Sequence, residues 1–158
     1  MKKQSLILSN FVIILFFFSF SFSYSADTRS ISGKTDVIDG DTIKIKGQSI
    51  RLIGIDAPEK KQLCKKPYLS LFIFTFSKSY QCGETSTSSL KKFINNQIIL
   101  CKIEEKKYFF KRYLGTCFKD KSNINSWLVK NGHALAFRKY SKKYLNEEFY
   151  AKNNKIGL

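Results

Sequence analysis

The chain has 158 residues, with 28 Lys+Arg against 12 Asp+Glu and a formal charge of +16. That length suits one domain and excludes several, and 43% hydrophobic with 25% charged residues excludes wholesale disorder. The charge surplus points to a polyanionic partner such as nucleic acid, an anionic membrane surface or an acidic polymer; the plain alternative is a soluble basic surface.

Lys2 and Lys3 precede a stretch from Leu6 to Phe22 that is apolar apart from Ser9, Asn10, Ser19 and Ser21. Ser23-Tyr24-Ser25-Ala26 follows, and a cut after Ser25 puts serine at −1 and −3. Residues 1–25 are expected to be a secretory signal peptide. The alternative is an uncleaved N-terminal anchor, because the stretch approaches the roughly 20 residues that cross a bilayer. Either way the protein is expected to be exported, periplasmic or secreted, with residues 26–158 as its folded domain.

Val37-Ile38 opens one strand, Asp39-Gly40 signals a tight turn, and Thr42-Ile43-Lys44-Ile45-Lys46 alternates as a second strand. After a turn at Gly47-Gln48, Ser49 to Ile55 reads as a third strand, ending at Asp56-Ala57-Pro58-Glu59. Lys60-Lys61 and Lys65-Lys66 make a basic loop. Pro67 to Phe76 is then a run of aromatic, aliphatic and β-branched residues, too short to cross a membrane as a helix. The pattern leaves three readings of that run: a buried strand, a lid, or an exposed aggregation hazard.

Glu84 to Asn95 fits a helix with Leu90, Phe93 and Ile94 on one face. Gln97 to Ile103 and Tyr113 to Phe118 read as partner strands, and Asn123 to Lys130 as a short helix stopped by Asn131-Gly132. His133 to Phe137 reads as a short strand. Ser141 is expected to cap a last helix running to about Asn153.

Cys64, Cys82, Cys101 and Cys117 all lie in the exported part. An even number in an oxidising compartment suggests two disulfides, in one of three pairings. Nearest-neighbour pairing is attractive, because Cys64–Cys82 would close one loop and Cys101–Cys117 would join two neighbouring strands. A zinc site is disfavoured, since there is no Cys-x-x-Cys spacing and His133 is the one histidine. His133 is assigned a structural role and Trp127 a place in the core.

The acids are the exception in so basic a chain. Asp39, Asp41, Asp56 and Glu59 all fall at strand ends and turns. Carboxylates gathered near one point repel unless a cation sits between them, and a hard divalent ion such as calcium suits several oxygen donors. Arg51 lies in the same unit. A cation and a guanidinium beside carboxylates suit a phosphate ester, with one carboxylate orienting water.

Val37-Ile38-Asp39-Gly40-Asp41-Thr42 with Ile50-Arg51-Leu52-Ile53-Gly54-Ile55-Asp56-Ala57-Pro58-Glu59 resembles the staphylococcal nuclease (thermonuclease) family. The resemblance resumes at Lys111-Arg112-Tyr113-Leu114-Gly115 and runs through Asn123 to Ala134 into the last helix at Ala151-Lys152. It implies an α+β fold: a five-stranded OB-type β-barrel with about three helices. It also implies a calcium-dependent endonuclease that hydrolyses DNA and RNA and leaves 3′-phosphate ends. By motif, Asp41, Asp56 and the carbonyl of Ala57 resemble the calcium ligands. Arg51 resembles the arginine on the scissile phosphate, Glu59 the carboxylate that positions or deprotonates water, and Arg112 the arginine that stabilises the transition state.

Tyr108-Phe109-Phe110-Lys111 departs from the family, which usually has an acid, a basic residue and an aromatic before the second arginine. Phe110 is still placed to stack on a base. Arg138 and Lys139, clustered with Lys142 and Lys143, are candidates for the nucleic-acid backbone. The competing function is a binding module of the same fold whose catalysis has decayed. The chain is expected to be a monomer with DNA and RNA as substrate and no stable protein partner. Membrane association is expected only if the N-terminal segment is retained.

Overall fold

The computed structural model describes residues 29–107 and 112–158. The expected signal peptide or anchor, and Phe110, lie outside the described residues. Eleven strands and three helices follow one another in the described chain. The first five are β1 (Ser30–Gly33), β2 (Thr35–Asp39), β3 (Thr42–Ile45), β4 (Gln48–Leu52) and β5 (Ile55–Asp56). Next come β6 (Cys64–Leu71), β7 (Phe74–Tyr80) and helix α1 (Cys82–Ile94). The rest is β8 (Ile99–Lys107), β9 (Arg112–Lys119), β10 (Ser122–Asn123), α2 (Ile124–Lys130), β11 (Leu135–Ala136) and α3 (Leu145–Asn153).

The main sheet runs β1-β8-β9-β4-β3-β2, with β10 attached to β9. Its neighbours are antiparallel except β4 and β9, whose parallel register sets Arg51 opposite Leu114. The alternation expected in the meander is met. Ile43, Ile45, Ile50 and Leu52 are fully buried, whereas Lys44 between them faces water. Leu90 and Ile94 of α1 and Ile124, Leu128 and Val129 of α2 close the same core. Trp127 packs on its edge, stacked on Phe93 at 3.9 Å between ring centres.

Asn125 is a polar residue wholly inside this core. Its Oδ1 accepts the Cys117 N–H at 3.1 Å. Its Nδ2 donates to the carbonyls of Ile53 at 2.9 Å and Gly115 at 3.4 Å. One side chain thereby ties α2 to β9 and to the end of β4.

Three expectations are corrected, and one of three open readings is excluded. The third strand does not run unbroken to Ile55. Gly54, at φ +77°, turns the chain, and Ile55–Asp56 pairs instead with Leu135–Ala136. The strand expected from His133 to Phe137 shrinks to that same two-residue pairing. The last helix starts at Leu145, because the Ser141 hydroxyl accepts the Lys143 N–H in a local turn. The run from Pro67 to Phe76 is no buried strand. It forms most of a two-stranded hairpin, β6–β7, that joins neither of the other sheets.

Both nearest-neighbour disulfides are present. Cys101 and Cys117 face each other directly in the β8–β9 register, and Cys64–Cys82 ties the hairpin base to the start of α1. No described cysteine is free, which leaves none for zinc.

Candidate active site

The end of β2, the start of β3, the end of β4 and the loop after β5 converge at one end of the sheet. Asp41 follows the Asp39-Gly40 turn and is buried. It arrives there through local bonds: Thr42 Oγ1 donates to its Oδ1 at 2.9 Å, and the Ala57 N–H approaches its Oδ2 at 3.4 Å. Arg51 points the same way from β4. Its Nη1 donates to Asp41 Oδ1 at 3.0 Å, and its Nη2 lies 2.8 Å from Asp41 Oδ2. The same Nη2 is 2.9 Å from Oδ1 of Asp56. One guanidinium therefore bridges two carboxylates, one buried and one half-exposed. Such a charge-assisted fork fixes both partners.

Burial is the larger influence on Asp41 and raises its carboxyl above the usual 3.8; Arg51 and the Thr42 hydroxyl oppose it. Glu59 sits at the open rim. A hydrogen bond shared with Asp39, then the negative charge of Asp39, raises its carboxyl above 4.5, with Arg51 acting in the other direction. The backbone around Glu59 is held by Gln62, whose Oε1 accepts the Glu59 N–H at 3.1 Å. Helix α1 presses on it from behind. A Cβ on Gly83 would overlap the carbonyl oxygen of Glu59, so that approach needs a glycine.

Arg112 opens β9, the strand beside Arg51. Residues in register on parallel strands share a face, and Leu114 is opposite Arg51. Arg112, two positions earlier, therefore lies on Arg51's face, about 7 Å further along the sheet. Sequence reasoning thus finds Arg51, Asp41, Asp56, Ala57 and Glu59 in one place, with Arg112 on the adjoining strand. Arg138 instead holds Glu148 of α3, at 2.6 Å from Nη2 and 3.1 Å from Nε. Lys139 lies over the Tyr140 ring.

Two participants carry no assignment from sequence. Asp39 raises the Glu59 carboxyl through a hydrogen bond and its charge, and its sole signal is a second aspartate in the same turn. Gln62 steadies Glu59 from a loop that gives no signal at all. His133 packs at 5.4 Å from Trp127, and burial lowers its imidazole below the usual 6.5. Among the described residues no group of three or more His, Cys, Asp or Glu side chains is placed to hold a metal ion. None of their helices is long and apolar enough to cross a membrane.

The arrangement suits an anionic ester: two guanidiniums on one face, a pair of carboxylates around a cationic centre, and a carboxylate of raised basicity at the rim. Comparison with known proteins agrees. The model of the staphylococcal nuclease homologue family matches residues 49–158. The succinoglycan biosynthesis protein ExoI of Rhizobium meliloti (strain 1021) is 33% identical over 131 residues, 81% of this chain. The chain spans 64% of that relative's length.

Proposed function

This chain belongs to the family of staphylococcal nuclease homologues, whose fold is OB-type, and on that premise we propose that it is an exported, calcium-dependent endonuclease. It hydrolyses phosphodiester bonds of DNA and RNA and leaves 3′-phosphate ends. The observation that carries the reading is the bridge from Arg51 to Asp41 and Asp56 beside Glu59. The two disulfides are compatible with export to an oxidising compartment.

The residues present fit calcium by their chemistry. Oxygens from Asp41 and Asp56 both lie within 2.9 Å of one cationic nitrogen, so the two carboxylates already share a positive centre. Asp41, Asp56 and the Ala57 carbonyl are hard oxygen donors, and calcium completes six to eight ligands with water. When bound, the ion would supply divalent charge to a phosphate oxygen.

The chain's own residues do the rest. Arg51 exchanges its carboxylates for the non-bridging oxygens of the scissile phosphate, which it can hold with two parallel bonds. Glu59, with its basicity raised by Asp39, orients a water molecule and takes its proton. The water oxygen bonds to phosphorus and the phosphorus–O5′ bond breaks, leaving phosphate on the 3′ side. The departing 5′-oxygen takes a proton from solvent. Arg112 meets the extra negative charge of the five-coordinate phosphorus. Phe110, Arg138 and Lys139 are the proposed contacts to the rest of the strand.

The test is cleavage of single-stranded DNA by purified residues 26–158, with calcium and with chelator. Cleavage is expected with calcium alone. Glu59→Gln and Arg112→Ala should each lower kcat by at least ~100-fold, as for loss of one charge-stabilising group. Full activity in both variants would overturn the assignment. Salt-sensitive binding with no cleavage would instead establish the decayed binding module.

A further inference from the structure

Cys64, Lys65 and Tyr80 at the base of the β6–β7 hairpin line a cavity with Asp56 and Ala57, whereas the tip lies outside that cavity and carries the most exposed apolar side chains of the described fold. Phe72 at its turn is fully exposed, and Ile73 and Phe74 are 88% and 66% exposed. Tyr68 and Leu71 are exposed on the same tip. Phe72 also holds a left-handed backbone at φ +50°, a place where turns favour glycine or asparagine. A large aromatic ring is kept at the apex despite that cost.

The charges lie at the other end. Lys60, Lys61, Lys65, Lys66 and Lys78 surround the base, and no Asp or Glu occurs between Glu59 and Glu84. Lys66 stands directly opposite Lys78 in the strand register. Like charges paired across strands repel in water, and an anionic partner relieves that repulsion.

Apolar and cationic groups are thus separated along the long axis of the hairpin. Beyond the bulge at Tyr68, Leu69, Leu71, Phe74 and Phe76 share one face, Ser70 and Thr75 the other, and Phe72 and Ile73 cap the end. A bilayer interface offers an apolar layer beneath a layer of anionic headgroups, in the same order as the apolar end and the lysines at the base.

We infer that the hairpin tip inserts into the interface of an anionic phospholipid bilayer while the lysines at its base engage the headgroups. The apolar tip beyond the Leu69–Phe76 pair is about 10 Å deep, counting three residues at ~3.4 Å each. That matches the roughly 5–10 Å reached by interfacial segments. Deeper entry is barred, because the open strand edges need water for their N–H and C=O groups. The Cys64–Cys82 disulfide fixes the hairpin to α1, so the membrane-bound protein would hold its site at a set orientation to the surface. This attachment is separate from any made by the N-terminal segment.

The experiment compares the full chain with variants on vesicles of phosphatidylglycerol and phosphatidylcholine, and of phosphatidylcholine alone. The N-terminal segment is common to all of them. Replacing Phe72, Ile73 and Phe74 together by serine should weaken sedimentation with the anionic vesicles by at least ~10-fold. Lys66→Glu with Lys78→Glu should weaken it by at least ~100-fold, since each lysine at such a surface contributes roughly a factor of five and each reversal squares that. Phe72→Trp should show a blue-shifted emission, quenched by brominated lipid, on anionic vesicles and far less on neutral ones. The inference is overturned if the serine variant sediments like the wild type or the tryptophan reports no shift. It is equally overturned if the tip instead pairs two copies, seen as a dimer in solution that the serine variant dissociates without any change in vesicle binding.

Discussion

Asp39 shows how one carboxylate can set the working range of another. Its charge and its shared hydrogen bond raise the Glu59 carboxyl above its usual 4.5, and the proposed mechanism needs Glu59 ionised to take a proton from water. The rate should therefore fall as pH drops through that raised value. Asp39→Asn removes the charge and keeps an oxygen to accept the Gly40 N–H, now bonded at 2.6 Å. The acid limb of kcat/KM against pH is expected to move to lower pH in this variant. A limb that stays put or moves upward would show that Asp39 does not act on Glu59. The acids themselves were legible in the sequence, since carboxylates stand out at turns of a basic chain. The coupling was not, because it depends on where the loop after β5 lays Glu59, and Pro58-Glu59-Lys60 carries no mark of that.

At the level of elements, α2 matters less for its length than for the side chain it buries. Asn125 satisfies one N–H and one carbonyl in the middle of β9 and the carbonyl of Ile53 just past β4, and these strands carry Arg112 and Arg51. Removing it takes that partner from the Cys117 N–H and the Ile53 carbonyl inside the core, at roughly 1–3 kcal/mol each before relaxation, while the Gly115 carbonyl still accepts the Ile53 N–H at 3.0 Å. Asn125→Ala is expected to lower stability by about 2–4 kcal/mol, read from the midpoint of urea unfolding. A loss under ~1 kcal/mol would mean that water replaces the side chain. The helix was readable from Ile124, Leu128 and its stop at Asn131-Gly132, but the role of its asparagine was not, since all three partners are distant in sequence or hidden in backbone. Alternation likewise gave the meander, while the break at Gly54 followed from a tertiary pairing with β11. The run from Pro67 to Phe76 defeated the same logic. Its composition is that of a core strand, and nothing local distinguishes a strand that is buried from one that is presented.

Over the whole molecule the positive surplus and the site are different things. The site is a knot of carboxylates and two arginines, and most of the +16 lies elsewhere. That surplus draws in a polyanion with little regard to sequence and should be paid back as salt sensitivity. If about three phosphates are neutralised, KM for single-stranded DNA is expected to rise at least ~10-fold between 50 and 200 mM salt, with kcat little changed. A KM indifferent to salt would show that the surplus does not serve substrate. The parallel register of β4 and β9 has a consequence of another kind. It joins residues 50–52 to residues 113–115, across more than a third of the chain. Contacts so remote form late in folding, and within the connection between them the Cys64–Cys82 disulfide takes out only a loop of sequence separation 18. A polypeptide emerging N-terminus first presents Asp41, Arg51 and Glu59 long before the strand that brings Arg112 beside them. The proposed cluster is complete only once Gly115 has followed, so a half-made or half-threaded chain carries the charge without the full set of groups proposed to cut.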